Sequence, residues 1–235
     1  MMAADGKSWK NNGRVATIFV ARVAILASLL TVGKIAFAAL PNVEVVTLLI
    51  IVYGATLGLP YALTAALIFC TVEMALYSPH TWILMYYIYW PLLAVLSSLL
   101  LRRRNVFKTT VVAVVLAVIY AEFLGVLSSS VETLVLGTMS SEALGKYWLG
   151  YYLKGVYFDV VHMISNAIIV GVLFAPLVLL VRKLAPDACV LANGKMKKLY
   201  RLCGTYERET EEDGESDDFE EPYVVAVDAE NERSA

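Results

Sequence analysis

The chain has 235 residues, 59% of them hydrophobic and 17% charged, with a mean hydropathy of +0.68. Soluble domains carry about 45–50% apolar residues, so this composition excludes an ordinary soluble enzyme and indicates an integral membrane protein. The formal net charge of −2 conceals an asymmetry: residues 207–235 hold 13 acidic and 2 basic side chains, whereas the first 206 hold 8 acidic and 17 basic.

Residues 1–14, with Lys7, Lys10 and Arg14, form a basic N-terminal segment. The apolar run behind it is too long for a signal peptide and no A-x-A site precedes a soluble domain, so the segment is expected to stay on the cytoplasmic side. A first membrane span is predicted over residues 15–39, followed by a polar turn, Leu40–Glu44. Within this span Ala24 and Ser28, with Ala21 and Ala27 nearby, make a small-xxx-small surface that permits close helix approach. Residues 43–77 are almost continuously apolar but contain Gly54 and the run Gly58-Leu59-Pro60. As one helix they would be roughly 50 Å long against a hydrocarbon core of about 30 Å. A tight turn at Gly58–Pro60 is expected instead, giving a second span at 43–58 and a third at 60–77. Glu44, just after Pro41-Asn42, is placed to cap the second span or to project into a pocket.

A fourth span is predicted over 83–101 and a fifth over 109–128. The fourth begins with the run Tyr86-Tyr87-Ile88-Tyr89-Trp90, followed by Pro91, which lacks an amide hydrogen and is expected to loosen the helix. Five successive residues point all round a helix. Some of these rings therefore suit an interfacial belt and others a stacking platform for a flat solute. A long connection, Ser129–Gly150, leads to a sixth span at 152–182. Residues 184–206 form a basic segment, and residues 207–235 an acidic, low-complexity tail of the kind that stays disordered. Cys70, Cys189 and Cys203 show neither CxxC nor CxxH spacing, so no structural metal site or disulfide framework is expected.

The positive-inside rule supports six spans rather than five. Basic residues cluster before the first span, after the fourth (Arg102, Arg103, Arg104, Lys108) and after the sixth (Arg182, Lys183, Lys195, Lys197, Lys198, Arg201). With six spans all three clusters are cytoplasmic; merging the second and third would send Arg102–Arg104 outside. The fold class expected is thus all-α, a six-helix membrane domain over residues 15–183 with both termini inside.

The last span carries Asp159, His162 and Asn166 in its first half, on one helical face. Ionisable groups inside a span are costly and are tolerated where they pair, line a cavity or carry a substrate path. Asp159 and His162, at i and i+3, can bond to each other and glue helices, or offer an acceptor and a donor to a ligand. Topology puts them in the outer half of the membrane. A proton relay would call for more buried carboxylates in register than Asp159, Glu73 and Glu122. There is no Walker A pattern, no H-E-x-x-H and no G-x-S-x-G, so neither ATP hydrolysis nor a metal-dependent activity is suggested. The short run Arg102–Arg104 reads as a topogenic loop rather than a nucleic-acid patch.

Three stretches together resemble the substrate-specific S components of energy-coupling factor (ECF) vitamin transporters. They are Lys34-Ile-Ala-Phe-Ala-Ala-Leu-Pro41-Asn42-Val-Glu44, the Tyr/Trp-rich start of the fourth span, and Phe158-Asp159-x-x-His162-x-x-x-Asn166. The resemblance covers about residues 14–183; the acidic tail departs from it. It implies a multi-pass protein of a prokaryotic plasma membrane that captures a vitamin or related micronutrient at the outer face. ATP would be hydrolysed by partners, a transmembrane coupling protein and two cytoplasmic ATPases. Solute-binding residues would be Asn42, Glu44, Tyr86, Tyr89, Trp90, Asp159, His162 and Asn166. The family's helix-1 alanine motif, which meets the coupling protein, would correspond to Ala24-x-x-x-Ser28, with serine replacing the second alanine. A stand-alone proton-coupled transporter and a structural membrane protein are the competing readings.

Overall fold

The structure, a computed structural model, describes residues 3–101, 105–135, 141–186, 188 and 189, with side chains from Val15 onward and Ser141 excepted. Arg102–Arg104, most of the basic segment 184–206 and the acidic tail lie outside the described residues, as do the side chains of Lys7, Lys10 and Arg14. The described residues belong to one unit within Met1–Gly194.

Six helices follow one another, with no strand among the described residues: α1 (Ala3–Ala36), α2 (Val46–Thr56), α3 (Leu59–Tyr77), α4 (Thr81–Leu100), α5 (Val106–Val135) and α6 (Ser141–Leu184). Five of them are long and apolar enough to cross a membrane. Their outward faces are apolar as well: Val20, Ile25, Phe107, Ile119, Leu134 and Val172 are all exposed. A protein apolar inside and out suits a solvent that is itself hydrocarbon, in which helices satisfy their own backbone groups. The chain is a multi-pass membrane protein.

The exception is α2. A spanning helix was expected over 43–58, but only 11 residues are helical, about 17 Å of helix. It is instead the centre of the bundle, buried at nearly every position and packed against α1, α3, α4, α5 and α6. It runs back alongside α1: a side chain at Gly33 would meet Val45, the Tyr53 hydroxyl donates to Leu26 O (3.3 Å), and Leu57 shares a cluster with Val23. The expected turn is present. Gly58 takes φ 86°, a left-handed conformation open to glycine, and Pro60 sits in the first turn of α3, where its missing amide hydrogen is no loss.

Pro91 lies inside α4, which continues through it to Leu100. One other expectation is corrected. The Ser129–Gly150 connection is largely helical, because α5 continues to Val135 and α6 starts at Ser141. The polar residues of that stretch end neither helix where the hydropathy falls. Glu142 and Lys146 form an i,i+4 ion pair (2.7 Å), and Trp148 Nε1 donates to Ser130 Oγ (3.1 Å), holding the start of α6 on α5.

Candidate solute-binding site

The site is organised by the turn between α1 and α2. Asn42 takes φ 58°, a conformation that asparagine adopts more readily than most residues. Its Nδ2 donates to Phe158 O (2.8 Å), and its carbonyl accepts from Ser165 Oγ (2.9 Å), so the turn is tied to α6 at two points. Glu44 follows. Its carboxylate accepts from the Val46 amide (2.7 Å), the Thr47 amide (3.1 Å) and the Thr47 hydroxyl, compensating the N-terminus of α2. His162 Nε2 donates to Glu44 Oε1 (3.3 Å). Glu44 thus both caps α2 and meets α6.

The expected Asp159–His162 neighbourhood resolves differently. His162 turns to Glu44, whose carboxylate accepts from Nε2, and the buried Nδ1 has no partner. Asp159, buried at 6% exposure, presses its carboxylate against α5 at Gly125, and its Oδ2 is unpartnered. Only a residue without a side chain admits it there, since a Cβ at Gly125 would lie 2.7 Å from Asp159 Cγ. Asn166, one turn further along, is fully buried, lines neither cavity described below, and has both amide atoms unpartnered.

Two cavities adjoin. One, about 210 Å³, is enclosed by the α1–α2 turn with Asn42 and Glu44, by Lys34, by Tyr86 and Trp90 of α4, and by Leu124 and His162. The other, about 430 Å³, lies between α4, α5 and α6, and includes Trp82, Tyr86, Leu124, Tyr152, Lys154 and Asp159. Tyr86 and Leu124 belong to both walls. Trp90 Nε1 and His162 Nδ1 are unpartnered in residues lining the first, and Asp159 Oδ2 in a residue lining the second. These are three of the six buried side-chain atoms without a partner among the described residues; Glu73 Oε1 and both amide atoms of Asn166 are the others.

Tyr89 is placed elsewhere. It is fully buried, lines neither cavity, and exchanges hydrogen bonds with Tyr120: its hydroxyl donates to Tyr120 O (2.9 Å), and the Tyr120 hydroxyl donates to Tyr89 O (2.5 Å). It clamps α4 to α5, the consequence of a helical run whose members point in different directions.

Sequence reasoning missed Lys34 as a site residue. Its ammonium pairs with the fully buried Glu73 of α3 and lies 4.8 Å from the ring centroids of both Trp82 and Tyr86. The available signal was a lone cation near the end of an apolar helix. Ala24 and Ser28 stand apart from these cavities. They are exposed on an open groove between α1 and α3 that also includes Phe19, Ala27, Thr64 and Ile68, and Ser28 Oγ donates within its own helix to Ala24 O (2.8 Å).

Compared with known protein families, curated proteins and solved structures, the chain matches none.

Proposed function

We propose that the chain is the solute-binding membrane subunit of an ECF-type importer, capturing a vitamin-like molecule at the outer face of a prokaryotic plasma membrane. In this reading the chain crosses the membrane six times, the second crossing made by the short α2 together with the turns on either side of it, and keeps both termini inside. A coupling protein docks on the α1–α3 groove at Ala24 and Ser28, and two ATPases supply the energy. The observation that carries the reading is the convergence of the α1–α2 turn, α4 and α6 on two adjoining cavities with unpartnered polar atoms in their walls. Concave sites with a few convergent polar groups among aromatic walls are where small molecules bind. The binding residues are Asn42, Glu44, Tyr86, Trp90, Asp159 and His162, joined by Lys34 and Trp82.

Native mass spectrometry of the purified protein tests this directly, together with affinity purification from its source cells. A bound small molecule and co-purifying ATPases are expected. Solute uptake by this chain alone in liposomes, driven by a pH gradient, would instead make it a secondary transporter.

A further inference from the structure

Trp82 and Tyr86 each serve two neighbours. Their rings hold the Lys34 ammonium, each centroid 4.8 Å from Nζ, with Tyr77 at 5.2 Å, Phe69 at 5.9 Å and the Glu73 carboxylate completing the enclosure. Aromatic rings around an ammonium, with a carboxylate beside them, are the recognition set for organic cations. In this enclosure the protein supplies the cation itself, from α1.

The same two residues line the 430 Å³ cavity, and there rings and a carboxylate recur, with Lys154 the one cation among the described lining residues. The carboxylate is Asp159, whose unpartnered Oδ2 packs against Gly125, and Tyr151 and Tyr152 add further rings. Glu122 accepts a hydrogen bond from the Tyr152 hydroxyl. Lys154 also lines the cavity, is exposed, and is in none of the ion pairs among the described residues. A neutral occupant would leave Asp159 uncompensated in a low-dielectric setting, and an anion would add a like charge beside it.

Resting on the solute-binding reading, we infer that the solute carries an organic cation, a quaternary or ring nitrogen with delocalised positive charge. It sits in the α4–α5–α6 cavity against Trp82 and Tyr86, with Asp159 as its counter-charge. The test uses the full chain in lipid nanodiscs and three probes sharing one ring: 1-methylnicotinamide (cation), nicotinamide (neutral) and nicotinate (anion), titrated by calorimetry. The cation is expected to bind about ten-fold more tightly than either analogue. That preference is expected to vanish in Asp159→Asn and Trp82→Leu and to persist in Lys108→Gln, at an exposed residue outside the cavity. Equal or tighter binding of nicotinamide or nicotinate overturns the inference. So does a cation preference that survives in Asp159→Asn, or no binding of any probe at millimolar concentration. Native mass spectrometry separates the charge of the solute from its binding. A neutral or anionic solute carried by the purified protein overturns the charge assignment and leaves solute binding standing; an empty protein that also binds no probe overturns both.

Discussion

His162 Nε2 donates to Glu44 Oε1 across 3.3 Å, joining α6 to the turn before α2 over 118 residues of sequence. Because the same carboxylate caps α2, the orientation of the imidazole depends on the central helix being in place. Glu44→Ala removes the cap and the histidine's partner together. It is expected to lower stability by about 1–3 kcal/mol and to weaken solute binding. His162→Ala should weaken binding with a smaller stability loss. Thermal melts in detergent paired with ligand titration separate the two; unchanged binding in both variants would remove this pair from the site.

Lys34 and Glu73 form the second cross-link, α1 to α3, with the Glu73 side chain wholly buried. Lys34→Met strands that carboxylate without its counter-charge, and Glu73 Oε1 already has no partner. A loss of about 3–5 kcal/mol is expected for breaking a buried pair from one side. Lys34→Met combined with Glu73→Gln should recover much of it, because no charge is then left behind. A double variant melting no higher than Lys34→Met would show that the two groups are not coupled.

Gly125 is the space that Asp159 occupies. Gly125→Ala drives a methyl group into the carboxylate and is expected to displace it, lowering affinity for the solute by about ten-fold. Gly145→Ala and Gly150→Ala provide matched controls, since an added Cβ meets nothing within 4 Å at either position. Binding curves for the three variants should diverge only for Gly125→Ala; an equal loss in all three would point to a general helix effect.

The α1–α3 groove carries a prediction for partner assembly. Ser28→Phe places a ring where the proposed coupling protein docks, on an exposed face well apart from His162 and Asp159 in the chain. Co-purification of the ATPases should be lost while solute affinity stays unchanged. Retained assembly would move the docking surface elsewhere.

Much of the architecture is legible in local chemistry. Apolar runs of membrane length place α1, α3, α4 and α6, because hydrocarbon selects for composition over some twenty residues at a time. The break at Gly58-Leu59-Pro60 is equally local: a glycine at positive φ and a proline in a first turn need no distant partner. Hydropathy reports where a helix meets lipid, however, and not where its hydrogen bonding stops. That is why α5 and α6 run past their expected ends through Glu132 and Lys146.

The candidate site divides along the same line. Asp159, His162 and Asn166 stand out in sequence because ionisable and amide groups are rare in an apolar helix, and their spacing assigns them one face. Their partners are not local. Glu44 reaches His162, Asn42 reaches Phe158, Gly125 admits Asp159, and Lys34 enters the rings of α4, all across helices. Spacing along one helix specifies direction but not what stands opposite. That depends on how a central 11-residue helix sets the positions of the other five. The aromatic run shows the consequence most clearly: adjacent residues Tyr89 and Trp90 part company, one clamped to Tyr120 within the core and the other lining a cavity with its indole nitrogen unpartnered. Composition therefore made this a membrane protein with polar groups to account for, and packing between distant helices decided which of them face a cavity.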